Sequence, residues 1–190
     1  MRVFLDFEAS SLSKNSYPVE VAWAFEDGAS EAWLIRPAPG WTEWDARAEA
    51  IHGISRAMLD REGEAHDRVA ARMVDALSGH DLLASAPSWD GKWLSALLRA
   101  AGLPRHALRL RDSDDAHLET AMALLQGAVE PAQIEGVASS LVASAQIRAA
   151  GEQPAHRALA DAQEERLRWL KVRDEAQALA CRMRGSGGAR

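Results

Sequence analysis

Cysteine is nearly missing from this chain: the single thiol, Cys181, excludes an internal disulfide and any C-x-x-C metal site. That scarcity agrees with a reducing cytoplasm, and a lone thiol late in a charged helix is expected to be structural. Long apolar runs are missing as well. None approaches the ~20 residues needed to cross a bilayer, so no membrane span is expected. The amino terminus, MRVFLDFEAS, is apolar over too short a stretch for a secretory signal and runs straight into acidic residues. Basic charge is in deficit, with 22 Lys and Arg against 28 Asp and Glu and a formal net charge of −6. Binding that depends on a broad basic surface is therefore disfavoured, and a long duplex is a poor candidate partner. The phosphate loop G-x-x-x-x-G-K-[ST], the dinucleotide fingerprint G-x-G-x-x-G and the nucleophile elbow G-x-S-x-G are all absent.

What remains is an ordinary globular composition, 47% hydrophobic and 26% charged over 190 residues. A chain of this length buries roughly 70% of its unfolded surface, enough for one domain with a proper core. One domain over residues 1–183 is expected, with no repeat or internal linker, followed by a disordered tail at 184–190. Strands come first. Residues 2–7 are apolar, residues 19–25 alternate, and after the turn signal Asp27-Gly28 residues 31–36 read as a second hairpin arm. Pro37, Pro39 and Gly40 interrupt the pattern, and a loop carrying Trp41 and Trp44 leads through IHGISRAMLD to a helix at about 64–78. A buried strand at 81–86, a helix at 90–101 and a short strand at 108–110 follow. Helices are then expected at about 115–126, 131–149 and 156–183. The fold class is α/β, a mixed sheet with an antiparallel three-stranded start flanked by helices.

Four acids and one histidine stand out from this background: Asp6 and Glu8 in VFLDFEASS, Asp90 in APSWDGKWL, and His156 and Asp161 in PAHRALADAQ. Side chains alternate along a strand, so Asp6 and Glu8 share one face while Leu5 and Phe7 take the other. The structural alternative is a solvated edge face, but the apolar surroundings raise the cost of unpaired charge there. Asp90 lies where a strand meets a helix, a location where ligands gather in α/β sheets; by itself it reads equally as an N-cap. His156 and Asp161 are about 140° apart if both are helical, so Pro154 suggests that His156 sits in or beside the loop before the helix. Carboxylates in this number suit a hard divalent cation such as magnesium, and magnesium suggests phosphate chemistry.

Taken together, D-x-E near the amino terminus, an Asp opening a helix in mid-chain and H-x4-D in an H-x-A-x-x-D-A setting resemble the DEDDh family of 3′-to-5′ exonucleases. The resemblance covers about residues 1–175 and includes the segment IHGIS at 51–55. It implies a ribonuclease H-like fold, Asp6, Glu8, Asp90 and Asp161 as ligands of two Mg2+ or Mn2+ ions, and His156 as general base. The family commonly has Thr or Ser and then Gly after D-x-E, where this chain has Ala9-Ser10-Ser11-Leu12. Ser10 and Ser11 are candidate substrate contacts on that basis, with an altered fit to the terminal nucleotide. The His-Asn often found before the middle acid is replaced by Ser85-Ala86-Pro87-Ser88.

The chemistry stands without the family. Two cations can stabilise both ends of an in-line displacement at phosphorus, and a histidine titrating near neutrality can take a proton from water. Among 6 histidines His156 is the best candidate. His52 has a structural turn setting, and His66, His80, His106 and His117 lie in polar stretches without acids arranged around them. Of 7 tryptophans, Trp23, Trp33 and Trp169 are expected to pack, whereas Trp89 and Trp93 flank Asp90 and divide evenly between packing and base contact. Lys92 and Arg157 are candidate phosphate contacts with surface solvation as the alternative. The last helix reads as a solvated charged face, with a homodimer contact as the lesser reading. The expected function is a cytoplasmic, metal-dependent exonuclease releasing nucleoside 5′-monophosphates from single-stranded or short nucleic acid. The alternatives are a noncatalytic module that binds a nucleic-acid end or a protein, and a metal-dependent phosphatase acting on a small ester.

Overall fold

Alternation in the first strand sets up both the core and the acidic face. In a computed structural model that describes residues 1–149 and 156–187, β1 (Arg2–Ala9) directs Val3, Leu5 and Phe7 into one buried cluster with Val21, Trp23 and Ile35. Asp6 and Glu8 occupy the opposite face, as the two-residue period requires. β1 pairs antiparallel with β2 (Pro18–Phe25), and β2 with β3 (Ser30–Arg36), around a turn in which Phe25 donates to the Ala29 carbonyl at 2.7 Å and Gly28 takes φ 101. The three-stranded antiparallel start expected at 2–7, 19–25 and 31–36 is therefore present.

The remaining strands add in parallel. β4 (Glu64–Ala65) lies beside β3, β5 (Asp81–Ala84) beside β1, and β6 (Leu110–Asp112) beside β5, giving the order β4-β3-β2-β1-β5-β6. The sixth strand begins two residues later than the 108–110 expected. α3 (His66–Leu77) and α4 (Pro87–Ala100) supply Val69, Met73, Leu77, Leu94 and Leu97 to the core against β1. Burial of each such side chain favours the folded chain by roughly 1.5–3 kcal/mol.

Two short helices replace what reads as a loop. α1 (Ala46–His52) is capped by Asp45, which accepts from the Arg47 amide, and α2 (Arg56–Glu62) by Ser55, which accepts from the Met58 amide. Seven residues are too few for an amphipathic period to be recognised, so their caps and tertiary packing define them.

The described chain forms two compact units. The first comprises Met1–Asp112 with residues 156–163; the second comprises residues 113–149 and 164–187. The second unit is helical, built from α5 (Ser113–Leu125), α6 (Pro131–Ala149) and the larger part of α7 (Ala158–Gly187), whose first residues belong to the first unit. Its core joins Ala121, Leu125, Ala138, Val142, Val172 and Ala176. Trp169 is buried and donates Nε1–H to Thr120 Oγ1 at 2.9 Å. α7 continues to Gly187, so the first residues of the expected tail are helical; residues 188–190 lie outside the described residues. Cys181 is exposed on α7, which removes the packing role expected for it. No described helix is long and apolar enough to cross a membrane.

Gly63, at the end of α2, has no room for a side chain: a Cβ there would stand 2.8 Å from the Arg36 amide nitrogen on β3. Gly53 ends α1 at φ 71 but faces open space. Gly63→Ala is therefore expected to lower stability by about 1–3 kcal/mol through overpacking. Gly53→Ala should cost about 1 kcal/mol through backbone strain alone. Urea midpoints of the two variants measure the difference, and equal losses would remove the steric account of Gly63.

Candidate active site

The acids converge from the two ends of the chain. Carboxylate oxygens of Asp6, Glu8 and Asp161 lie within 4.8 Å of one another, Asp6 and Glu8 from β1 and Asp161 from the first turn of α7. Asp90 enters from α4. That helix begins at Pro87, whose ring suits the first helical position, so Asp90 lies inside the first turn and Ala86 occupies the cap. The N-cap alternative for Asp90 is thereby overturned: its amide instead donates to the Ala86 carbonyl at 3.0 Å. Asp90 is 2% exposed, and its Oδ2 has no hydrogen-bond partner among the described residues.

Burial and crowding both oppose ionisation here. Asp6 is raised well above the usual carboxylate range by burial, and further by the charges of Asp90, Glu8 and Asp161. Burial pushes Glu8 up to about 7, with Asp161 and Glu20 adding repulsion and Arg157 opposing it. Asp90 is raised to about 7 by burial, against hydrogen bonds from the backbone at Phe7 and Ala86. Four acids held this way want a cation. The close oxygens of Asp6, Glu8 and Asp161, with the Asp90 Oδ2 that has no hydrogen-bond partner among the described residues, are donor chemistry that fits a hard divalent cation.

His156 stands just before α7 with φ 47, exposed, on the rim of a groove of about 220 Å3. Glu8 lines the same groove, together with Phe7, Ala9, Leu12, Ile51 and Trp93. Leu12 and Ile51 are exposed large hydrophobics at 70% and 57%, so the groove offers water a largely apolar mouth. Ser10 and Ser11 are buried, and their hydroxyls donate to Glu43, at 3.2 Å and 2.7 Å respectively. They anchor the turn after β1, where the pairing register shifts between Glu8 and Ala9, a bulge of the kind that re-aims residues beside active sites.

Trp93 is 6% exposed and donates to Ser16 Oγ at 3.0 Å, while Trp89 is 38% exposed and stacks on Trp93 at 5.7 Å between centroids. Packing thus accounts for most of Trp93, and Trp89 is the more exposed ring of the pair. Lys92 reaches the Ser13 carbonyl and Ser16 Oγ and lies over the Trp89 ring, so it braces the loop rather than standing in solvent.

One residue of this site gives no signal that points to it in the sequence. Glu20 on β2 is 3% exposed and sits directly opposite Glu8 in the antiparallel register. Arg157 forks onto it, with Nη2 to Oε1 at 2.6 Å and Nε to Oε2 at 3.1 Å, and the Ala158 amide donates to Oε2 at 3.0 Å. An acid between valines in a paired strand is unusual, but its role depends on a partner 137 residues away. His52 behaves as its turn setting suggests, with Nδ1 accepting from the Ile54 amide at 3.0 Å. His117 does not. It is fully buried in the second unit, with Asp114 at 3.6 Å and Glu165 at 3.4 Å, so acids do surround it. Glu165, 5% exposed and paired with Arg168 at 2.9 Å, likewise departs from the solvated face expected of the last helix.

No family model matches this chain, and no curated protein is similar to it at a significant level. Solved structures of exonuclease I are similar in fold. The zinc-bound complex of E. coli exonuclease I with single-stranded DNA aligns with a TM-score of 0.65 at 17% identity, over 95% of this chain and 42% of that one. Exonuclease I from Methylocaldum szegediense gives 0.64 at 21% identity, over 92% and 41%. The E. coli enzyme with a dA16 oligonucleotide gives 0.63 at 17% identity, over 95% and 42%. The fold is therefore the mixed α/β, ribonuclease H-like arrangement of exonuclease I, and this chain spans less than half the length of those proteins.

The raised carboxyls make stability fall with pH. Between the unfolded values of 3.8 for Asp90 and 4.5 for Glu8 and their folded values of about 7, the folded chain holds protons that the unfolded chain has lost. Their contribution is complete below the unfolded values and disappears as pH rises through about 7. Metal-free protein should thus melt progressively lower from pH 5 to pH 8, and magnesium should raise Tm more at pH 8 than at pH 5. Asp6→Asn and Asp161→Asn should raise the metal-free Tm at pH 8 and diminish the magnesium increment. Calorimetric melts with and without magnesium decide this, and an undiminished increment in either variant removes that acid from the metal site.

Proposed function

We propose that this protein is a metal-dependent 3′-to-5′ exonuclease acting on single-stranded or short nucleic acid, with residues 1–183 serving as one exonuclease domain. The observation that carries the reading is the meeting of Asp6, Glu8 and Asp161 within 4.8 Å, beside a groove that His156 overlooks. The shared fold supports it, since two of the similar exonuclease I structures hold single-stranded DNA or an oligonucleotide.

Asp6, Glu8, Asp90 and Asp161 would hold two Mg2+ or Mn2+ ions, which supply electrostatic stabilisation to the attacking and leaving oxygens of a phosphodiester. The chain's own residues do the rest. Phe7, Leu12, Ile51 and Trp93 give the groove an apolar surface suited to the base of a terminal nucleotide. Ser10 and Ser11 fix the turn that forms its wall, and Trp89 offers a stacking face for a preceding base. His156, exposed beside Glu8, accepts the proton of the attacking water and then releases it to solvent. The acidic balance directs the enzyme to free ends rather than to long duplex.

The test uses 5′-labelled linear oligonucleotides of DNA and RNA, circular single strands and blunt duplex, with magnesium, manganese or chelator. Metal-dependent shortening of linear single strands one nucleotide at a time is expected, with circles intact and duplex degraded slowly. His156→Ala should lower kcat by roughly 10² to 10⁴, leaving metal and substrate affinity nearly unchanged. Release of inorganic phosphate from small esters without strand shortening would instead establish a phosphatase, and binding without cleavage a noncatalytic module.

A further inference from the structure

We propose that Glu20 is a positioning residue for this reaction, holding His156 and Asp161 over the acids through Arg157 and the first amide of α7. The inference rests on the exonuclease reading and adds to it a residue that touches neither metal nor substrate.

Glu20 is fixed before it does anything. It lies on β2 between β1 and β3, paired on both sides, opposite Glu8 on one and Leu34 on the other. Among the described residues, its carboxylate accepts hydrogen bonds from one short segment of chain, Arg157 and Ala158. Arg157 grips both oxygens, at 2.6 Å and 3.1 Å, and Ala158 donates its amide to Oε2 at 3.0 Å. A carboxylate on the first amides of a helix also complements the helix dipole, which raises the hold on α7 at its start.

That segment carries both residues that matter. His156 directly precedes Arg157 and keeps φ 47, a left-handed backbone that a non-glycine residue retains only when its surroundings impose it. Asp161 is bound to the same residue from the other side, its amide donating to the Arg157 carbonyl at 3.1 Å. Arg157 thus joins the general base, a metal-binding acid and the strand under Glu8. A guanidinium serving a substrate phosphate would keep its fork open to solvent. Here the fork faces Glu20, and the half of the side chain left exposed is 50% of its area. Ion pairs on the surface count for little, but one whose acid is 97% removed from water is geometrically demanding, and removing one partner leaves the other stranded. Displacement of a catalytic group by about 1 Å can cost 10²-fold in rate, so a strut of this kind governs turnover rather than binding.

The experiment measures kcat, KM for a linear single strand and the half-saturating magnesium concentration in wild type, Glu20→Ala, Glu20→Gln, Arg157→Ala and the Glu20→Ala/Arg157→Ala double variant, with thermal melts to establish folding. Glu20→Ala and Arg157→Ala should each lower kcat by roughly 10- to 100-fold, with KM and half-saturating magnesium within about twofold of wild type. The double variant should be no slower than the slower single, because both substitutions break one connection. Glu20→Gln, which keeps an acceptor for the Ala158 amide, should recover part of the rate. If Glu20→Ala does not fold, Arg157→Ala carries the comparison, since its side chain is half exposed and can be removed without leaving a cavity. A raised KM with unchanged kcat in Arg157→Ala would make Arg157 a phosphate contact and overturn the proposal. A large increase in half-saturating magnesium in Glu20→Ala would make Glu20 an ion ligand, with the same consequence. Wild-type protein without nuclease activity overturns the exonuclease reading itself, a result distinct from an active wild type whose variants keep full rate.

Discussion

Repulsion among crowded, partly buried carboxylates is the constraint around which the first unit is built. Asp6, Glu8 and Asp161 approach within 4.8 Å, with Asp90 and Glu20 close enough to raise Asp6 further, in a setting that burial alone already makes costly for charge. No chain gathers acids this way for stability. The sheet must hold Asp6 and Glu8 rigidly enough that α4 and α7 can bring two more acids against them, so the strongest local order coincides with the least favourable electrostatics. Glu20 adds to that repulsion, yet its carboxylate is gripped by Arg157 and by the first amide of α7.

The sheet topology shows how the crowding is arranged. β5 pairs with β1 only from Arg2 to Phe4, so the ladder stops before the acids begin. Beyond that point the chain turns into α4, and the Asp90 carboxylate takes hydrogen bonds from the backbone at Phe7 and Ala86. An acid therefore stands where another strand would have continued. On the other side β2 continues past both acids, setting Ala22 opposite Asp6 and Glu20 opposite Glu8. A small residue beside Asp6 leaves room, and a clamped acid beside Glu8 ties the strand to what covers it.

How much of this is legible in the sequence depends on the range of the interaction. The shared face of Asp6 and Glu8 follows from a two-residue period, and the hairpin at Asp27-Gly28 from turn chemistry, so both are readable within a few residues. α1 and α2 escape because seven residues carry too little periodicity, although Asp45 and Ser55 are caps that could have marked them. α4 begins three residues before the expected position 90, because Pro87 is a first-turn proline that opens the helix. His117 and Glu165 look polar and solvated in one dimension, and only helix packing in the second unit buries them together. Glu20 is the hardest case: its role is defined by Arg157, and nothing short of the fold brings those two positions into register.

That distance has a physical consequence for how the site is assembled. Residues 1–112 contribute the sheet and three of the acids, after which the chain leaves to build helical structure and returns to the first unit only at residues 156–163. Closing so long an excursion costs entropy that grows only logarithmically with length, so its size is tolerable, but the returning segment must still be fixed in place on arrival. Burial of Ala158 and Ala162 contributes modestly, because alanine offers little apolar area. The polar clamp is directional where apolar burial is not. Two forked bonds from Arg157 and one from the Ala158 amide define both the position and the rotation of the first turn of α7, and with it the direction from which Asp161 meets Asp6 and Glu8. Directionality at a segment returning over this span is what a carboxylate held by three hydrogen bonds supplies and what two buried alanines do not.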